Sequence, residues 1–410
     1  MKSDLDALMQ ANHLDAILIT GAVQHNPAMY YLTGGAHITS ADLIKKRGMS
    51  PVLFHNPMER DEAAKTGLIT KNLGDYQLGE LVKQCNGDYL QGVILRYQKM
   101  LTEQGVTTGR LGLYGKIDAG VAYAMFTGLQ RLMPELTIVG EYNDSMVMQA
   151  MATKSADEIV RIRRVGQITV AVVDQVANFL TSHPVRGDAL VKIDGNPLTI
   201  ADVKSRINLW LAERGAENPE GVIFSIGRDA GIPHSAGNEA DPILLGQTIV
   251  FDIFPCEAGG GYFYDFTRTW CLGYAPAETW GIYEDVLAVY RQMMSELKSD
   301  TACHDYQKRT CELFEARGHA TIQSNEQTQV GYVHSLGHGL GLHIHERPWF
   351  GKNATDLDRL VPGSVVTIEP GLYYPEKGIG VRLEDTVWIR PDGQPEILVE
   401  YPLDLVLQMK

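Results

Sequence analysis

The sequence predicts two domains, a smaller α/β domain followed by a larger α+β domain built of two similar halves. A chain of 410 residues with 44% hydrophobic content can bury a sizeable core, and domains usually run to about 100–200 residues. A small, polar segment, QAMATKSAD, interrupts the chain at residues 149–157. Beyond it, helical periodicity is followed by β-branched strands, and this order occurs twice.

The first predicted domain covers residues 1–150. Apolar runs at residues 15–20, 51–54 and 93–95 alternate with stretches of helical periodicity, which is typical of a small α/β domain. Few residues in this part of the chain are candidates for catalysis.

The second predicted domain covers residues 155–410. Ser155 followed by Glu158 has the spacing of a capping box, so we expect a helix over residues 157–183. Further helices are expected near residues 278–298 and 302–317, again followed by strands. Sequence identity between the two halves is not visible, so their similarity is predicted from the order of elements alone.

Charge and composition exclude several classes of protein. The net charge of −14 and a pI near 5.3 argue against binding to nucleic acid or to an anionic membrane, since both require a concentrated positive face. Asp4, Asp6 and Asp15 stand where a signal peptide would have its apolar core, and no window resembles a membrane span. Five cysteines without a CxxC pair indicate neither a disulfide framework nor a zinc knuckle. We therefore expect a soluble, cytoplasmic protein.

The segment TIVFDIFPCEAGGGYFYDFTRTW predicts a β-hairpin with a glycine-rich turn at residues 259–261. With the turn centred near Ala258 and Gly259, Asp252 and Asp265 would lie opposite each other, with their Cβ atoms roughly 4.5–5.5 Å apart. Two carboxylates this close share either a proton or a cation. The alternative is that one aspartate caps the turn and the other is exposed.

The segment HSLGHGLGLHIHERP contains four of the twelve histidines of the chain, His334, His338, His343 and His345. Its glycines, and Ser335 in place of a glutamate after the first histidine, argue against the two-histidine helix of a zinc protease. If the segment is a strand, His343 and His345 share one face, so only some of the four can reach one site. For each of them, ordinary structural hydrogen bonding is the alternative.

Two glutamates complete the candidate ligand set. Glu369 in VVTIEPGLYYP ends a β-branched run before a Pro-Gly break, and Glu384 in GVRLEDTVWI shares a strand face with Arg382 and Thr386. Taken alone, each would more often be a solvated strand residue. Carboxylates with one histidine form a hard ligand set suited to Mn²⁺. Two such ions, about 3.5–4 Å apart, can hold a bridging hydroxide and polarise a carbonyl, which is the chemistry of amide hydrolysis.

In their order along the chain, five residues resemble the ligand series of the pita-bread metallopeptidases, which include methionine aminopeptidase, aminopeptidase P, prolidase and creatinase: Asp252, Asp265, His338, Glu369 and Glu384. The segments IPHS, YDFTRTW, HSLGHGLGLHIHE, TIEPGLYYP and VRLEDTV resemble the prolidase and aminopeptidase P branch. The resemblance is close over residues 155–405. Residues 1–150 match the creatinase-type N-terminal domain of that branch only in size and α/β character.

The resemblance implies a role for each ligand in binding two metal ions. Asp252 would chelate one metal, Asp265 and Glu384 would bridge both, and His338 with Glu369 would complete the second. Glu369 would also shuttle the proton. The ions implied are Mn²⁺, with Co²⁺ or Zn²⁺ as alternatives.

Three further residues match the family outside the metal ligands. His234 and His345 would bind the substrate carbonyl or donate a proton, and Arg382 would orient the site; structural hydrogen bonding is the alternative for each. The two aspartates are 13 residues apart here, against 11 in the family. Two additional residues preserve strand parity, so the longer turn affects the substrate-facing rim more than the metals.

The expected function is hydrolysis of Xaa-Pro bonds, in dipeptides or at peptide N-termini, by a homodimer that uses a metal-bridging hydroxide. The substrate would be a small peptide with proline at the second position. One alternative is a pita-bread hydrolase that acts on a non-peptide amide or another small metabolite, as creatinase does. Another is a binding protein that has lost activity, although the complete ligand set argues against it.

Overall fold

The computed structural model of the chain describes residues 4–142, 145–352 and 354–410. These residues form a mixture of helices and strands, as predicted, and separate into two compact units. The first unit is Met1–Met151 with Gly259–Gly261, and the second is Ala152–Ala258 with Tyr262–Lys410. Within the described residues, no helix combines the length and the apolar character needed to cross a bilayer.

The first unit is built on a six-stranded sheet with the strand order β4-β3-β2-β1-β5-β6. Its strands are β1 Ala16–Gly21, β2 Ala41–Lys46, β3 Val52–His55, β4 Ile69–Asn72, β5 Gly109–Lys116 and β6 Leu136–Val139. Its helices are α1 Leu5–Ala11, α2 Pro27–Thr33, α3 Arg60–Lys65, α4 Leu78–Gln84, α5 Tyr89–Glu103, α6 Ala119–Leu132 and α7 Met146–Met151.

Two of the three apolar runs expected in this unit form strands. Residues 15–20 and 51–54 correspond to β1 and β3, but residues 93–95 lie inside helix α5. Ile94, Tyr97 and Leu101 of α5 are buried at helical spacing, so the run belongs to an amphipathic helix face. Three consecutive residues were too short a window to reveal this period.

The second unit contains helices α8 Ala156–Thr181, α9 Ile200–Ala212, α10 Ala277–Glu296 and α11 Cys303–Glu315. The predicted capping box at the start of α8 is confirmed, because the Ser155 side chain accepts from the Glu158 N–H and the Glu158 carboxylate accepts from the Ser155 N–H at 2.7 Å. Helix α9 was not predicted, although Thr199 and Asp202 form a second capping box at its start.

Two sheets of the second unit carry the site. Strand order is β10-β11-β13-β21 in one and β15-β14-β16-β19-β20 in the other, and β17 pairs with β18. The strands of this unit are β7 Val185–Arg186, β8 Ala189–Leu190, β9 Ala216–Glu217, β10 Val222–Ile226, β11 Thr248–Ile253, β12 Cys256–Glu257, β13 Phe266–Leu272, β14 His338–Gly339, β15 Glu346–Trp349, β16 Val365–Ile368, β17 Gly371–Tyr374, β18 Ile379–Arg382, β19 Asp385–Ile389, β20 Pro395–Ile397 and β21 Val406–Leu407.

The pairing of β11 with β13 corrects the predicted hairpin register. Asp252 lies opposite Thr267, and Asp265 directly precedes β13 instead of facing Asp252. The reason is the connecting segment, in which β12 pairs with β9 instead of forming part of a tight turn. Because Asp265 is two residues from Thr267, it keeps the parity that places it on the same face as Asp252.

Candidate metal centre

A cavity of about 740 Å³ in the second unit gathers every residue that the sequence proposed for the site. These lining residues are His234, Asp252, Asp265, His338, His345, Glu369, Arg382 and Glu384. They come from different strands and loops of the unit, spread over 151 positions of sequence from residue 234 to residue 384. The fold therefore brings the predicted set together, while the role of each residue stays a prediction.

Three of these residues form a group of potential metal ligands. One ligand atom each from Asp265, His338 and Glu384 lies within 4.8 Å of the others. His338 Nε2 is 3.5 Å from Asp265 Oδ2 and 3.5 Å from Glu369 Oε1. The other ring nitrogen, Nδ1, lies 3.0 Å from the carbonyl oxygen of Gly339 and so carries the proton. Nε2 is then left with a lone pair directed towards carboxylates.

Burial lowers the pKa of His338 to about 4, and a main-chain hydrogen bond to Gly339 only partly offsets it. The imidazole is therefore neutral at pH 7 and does not compensate the acidic groups around it. Once the carboxyl groups of Asp265 and Glu369 are ionised, the imidazole nitrogen and the two oxygens that it faces are all acceptors. A metal cation supplies what this arrangement lacks.

The carboxylic acids of the site repel one another in a buried space. Burial is the largest cause of the raised pKa of Asp265, followed by the charge of Asp252. Burial is also the largest cause of the raised pKa of Glu369, followed by the charge of Glu384. For Glu384, burial again raises the pKa most, followed by the charge of Asp265. Asp265, Glu369 and Glu384 therefore favour their neutral forms when no cation is present.

Asp252 provides the clearest sign of a missing partner. Its Oδ2 accepts a hydrogen bond of 2.6 Å from Arg382 Nη2, while its Oδ1 is buried and has no hydrogen-bond partner among the described residues. A buried carboxylate oxygen without a partner is costly. Among the predicted site residues, the four carboxyl groups of Asp252, Asp265, Glu369 and Glu384 face the guanidinium of Arg382, and two divalent cations would offset this imbalance. The residues present fit such a pair of ions.

Two glycines fix the position of His338. A Cβ atom on Gly337 would lie 1.9 Å from the carbonyl oxygen of Thr367, and one on Gly339 would lie 1.9 Å from that of Arg347. Only glycine allows the chain to run this close to both neighbouring segments. His338 lies in strand β14, so the sequence argument against a zinc-protease helix is confirmed.

Hydrogen bonds behind the ligands involve residues that the sequence did not indicate. Thr267, fully buried, donates from Oγ1 to Glu384 Oε2 at 2.6 Å. Tyr373 accepts from Arg382 Nη1 at 2.7 Å and also contacts His334 Nε2 at 2.8 Å. Alternation could have found Thr267, since it follows Asp265 by two residues on the same face. No sequence signal distinguishes Tyr373 from an ordinary strand tyrosine.

Three of the four histidines in the 334–345 segment line the cavity: His334, His338 and His345. The His345 ring packs edge-on against His338 with centroids 4.3 Å apart, and burial lowers the pKa of His345 to about 4. Residues 341–345 form a series of bends and not the strand that was considered. The N–H groups of Leu342 and His343 bond to the Glu346 carboxylate, which replaces a strand partner.

The chain is similar in sequence to a known metallopeptidase family. The model of metallopeptidase family M24 matches residues 160–391. A Xaa-Pro dipeptidase of Pyrococcus furiosus is 31% identical over 193 residues, which are 47% of this chain and 51% of that protein. The chain thus spans about half the length of that relative. A Xaa-Pro dipeptidase of Pyrococcus horikoshii is 29% identical over 396 residues, 95% of this chain and 94% of that protein.

Solved structures show a similar fold over nearly the whole chain. A dipeptidase from Pyrococcus horikoshii superimposes with a TM-score of 0.75 at 20% identity, covering 98% of each chain. An X-Pro aminopeptidase from Thermotoga maritima gives a TM-score of 0.72 at 20% identity, covering 96% of this chain and 97% of the other. At this identity the likeness concerns the fold.

Proposed function

Because the chain belongs to metallopeptidase family M24, we propose that it is a dinuclear metal-dependent peptidase that hydrolyses Xaa-Pro bonds in dipeptides or at peptide N-termini. The observation that carries this proposal is the cluster of buried acidic groups around His338, together with one oxygen of Asp252 that has no partner in the described part of the chain. Resemblance to two Xaa-Pro dipeptidases, at 31% and 29% identity, supports the choice of substrate.

In this proposal, the cavity residues divide the binding of two metal ions among them. Asp252 would hold one ion, His338 with Glu369 would hold the second, and Asp265 and Glu384 would serve as ligands of both. When bound, the two ions polarise the scissile carbonyl and lower the pKa of the attacking water. The oxygen-rich ligand set suits Mn²⁺, with Co²⁺ or Zn²⁺ as alternatives.

Other steps depend on side chains of the chain itself. Glu369 accepts the proton of the attacking water at its carboxylate and delivers it to the leaving nitrogen. His345 stays neutral because burial lowers its pKa to about 4, so its ring N–H donates to the substrate carbonyl oxygen without adding charge. His234, exposed on the cavity wall, donates to the same group from another direction. Arg382 holds Asp252 in place through a hydrogen bond of 2.6 Å.

We extend the proposal to the rest of the molecule. Residues 155–410 form a pita-bread catalytic domain of two similar halves, and residues 1–150 form a creatinase/prolidase-type N-terminal domain. The family resemblance supports a homodimer, and we further propose a cytoplasmic protein that binds small peptides and neither nucleic acid nor membrane. The net charge of −14 is consistent with that last point.

Hydrolysis of a small peptide panel tests the function directly. Purified protein is stripped of metal, given Mn²⁺, Co²⁺ or Zn²⁺, and assayed with Ala-Pro, Ala-Pro-Ala and Ala-Ala. Cleavage of Ala-Pro alone indicates a prolidase, and cleavage of the tripeptide between Ala and Pro indicates an aminopeptidase P. Failure to cleave any peptide, with two metals bound, would refute the peptidase proposal and favour a non-peptide amide substrate.

A further inference from the structure

A buried ion pair lies beside the cavity but outside the proposed metal ligands. Lys154 Nζ is 2.8 Å from Glu346 Oε2, and the two side chains are 1% and 0% exposed. Neither residue lines the cavity among the described residues. Buried charges are rare unless they are paired, and each partner of such a pair depends on the other. The pair therefore calls for an explanation that the proposed catalytic chemistry does not provide.

The carboxylate of Glu346 organises the residues that precede it. Its Oε1 accepts the N–H of Leu342 at 2.7 Å and the N–H of His343 at 2.9 Å, while Oε2 faces Lys154. We call residues 341–346 the 341–346 loop. The Glu346 side chain binds main-chain N–H groups from the start of this loop and so stabilises its bent shape. Since residues 341–345 lie outside any helix or strand, these bonds replace the ladder of a sheet.

Lys154 has a fixed position from which to hold the carboxylate. Its backbone N–H donates to the carbonyl oxygen of Gly363 at 2.8 Å, and the preceding residue, Thr153, bridges to Ser364. Ser364 directly precedes strand β16, which pairs with the strand that carries His338. The ammonium group is therefore anchored to the same sheet as the proposed ligand.

Gly341 independently shows that the 341–346 loop packs closely against the Lys154–Glu346 ion pair. A Cβ atom there would lie 2.5 Å from Glu346 Oε2 and 2.8 Å from Lys154 Cε. The loop therefore passes so near to the ion pair that any side chain at residue 341 would displace Glu346 or Lys154. The loop is held from the other side by the N–H of Phe263, which donates to the Gly341 carbonyl oxygen at 2.8 Å.

We infer that the buried Lys154–Glu346 pair is a positioning device that fixes the 341–346 loop, and through it the imidazole of His345, against His338. His345 directly precedes Glu346, and its ring lies 4.3 Å from that of His338. The catalytic consequence rests on the proposed peptidase function, whereas the positioning of His345 does not. Lys154 and Glu346 thus act through His345 and need no contact with substrate.

Glu346→Gln is the informative variant. Glu346 serves three donors, the Lys154 ammonium and two backbone N–H groups. A glutamine has one acceptor oxygen, so its own NH₂ group must face one of those donors. Lys154→Met removes the other partner, and Lys154→Arg keeps the positive charge. Lys45→Met is a matched control, since Lys45 is a 2% exposed lysine paired with Asp6 in the first unit.

The readout is the ¹H–¹⁵N spectrum of the histidine rings in metal-free protein, with the His345 signal assigned from its loss in His345→Ala. We expect that signal to move in Glu346→Gln and Lys154→Met and to stay in place in Lys154→Arg and Lys45→Met. In the metal-loaded enzyme, kcat should fall about 10- to 100-fold in Glu346→Gln while KM changes little. Absence of peptide hydrolysis in the unmodified protein would refute the function and leave the spectral test intact.

An unchanged His345 signal in folded Glu346→Gln, with folding checked by circular dichroism, would overturn the inference. Should the variants fail to fold, hydrogen exchange of the unmodified chain decides instead. The amides of Leu342 and His343 should exchange as slowly as those of the neighbouring strands, because the Glu346 carboxylate binds them. Rapid exchange at both amides would refute the positioning role.

Discussion

Replacing Thr267 by valine removes one hydroxyl group from behind the proposed metal ligands and leaves the shape of the side chain nearly unchanged. Thr267 is fully buried in strand β13. Its Oγ1 donates to Glu384 Oε2 at 2.6 Å and accepts from Arg382 Nε at 3.3 Å. The first bond is short and is made to Glu384, which the proposal assigns as a metal ligand. The second is long and contributes less.

The size of the effect follows from the charge of Glu384. Without metal, burial first and the charge of Asp265 second raise the pKa of Glu384, so the hydroxyl bonds a group that favours its neutral form. With metal bound, the carboxylate is ionised. Hydrogen bonds contribute about 0.5–1.5 kcal/mol between neutral groups and about 1.5–3 kcal/mol with a charged group. The bond to Glu384 is thus stronger by about 1–1.5 kcal/mol when the carboxylate is ionised than when it is neutral. Thr267→Val loses this gain, so its metal affinity should be roughly tenfold lower.

Calorimetric titration of metal-free protein with Mn²⁺ measures this loss, and thermal unfolding of the same samples reports stability. Thr310→Val is the matched control. Thr310 is also fully buried, but its hydroxyl donates to the Tyr306 carbonyl oxygen within helix α11 at 2.8 Å. Metal affinity within about twofold of the unmodified protein in folded Thr267→Val would refute the reasoning. An equal loss in Thr310→Val would refute it too.

Three further predictions concern the same cavity. Asp265→Asn should abolish peptide hydrolysis and lower metal content with the fold intact; normal metal content with full activity would contradict the ligand assignment. His345→Ala should retain both metals and lower kcat, whereas metal loss would mean that the roles of His338 and His345 had been confused. In metal-free protein, the pKa of Asp265, Glu369 and Glu384 is raised above the ordinary 3.8 and 4.5. The folded state then binds protons more tightly than the unfolded state, so Tm should fall as pH rises from about 5 to about 8. Metal-loaded protein, whose ions favour the ionised carboxylates, should show no such fall.

Local sequence signals predicted the elements whose causes are local. The Ser155 capping box marked the start of helix α8, because its two hydrogen bonds lie within four residues of chain. Alternation grouped Arg382 with Glu384, and both line the cavity, but the predicted shared strand was wrong because Arg382 ends β18 and Glu384 directly precedes β19. Glycines around His338 argued correctly against a helix.

Other features depend on contacts between distant parts of the chain. The prediction that Asp252 and Asp265 lie opposite each other was wrong because β12 pairs with β9, some 40 residues earlier in the chain. A rule for local turns cannot detect this pairing. The shape of the 341–346 loop depends on Lys154, which lies nearly 200 positions away. Tyr373 is connected to the site by its hydrogen bonds with Arg382 and His334. Such pairings need the folded molecule.

The two glycines beside His338 divide the cavity into a part that tolerates change and a part that does not. Any side chain at residue 337 or 339 would collide with backbone atoms at 1.9 Å, so neither position can vary independently of its neighbours. Lys204 and Glu220, by contrast, line the cavity from helix α9 and from the segment before β10. Mutational libraries that aim at new substrates should therefore randomise this second wall and leave residues 337–339 constant.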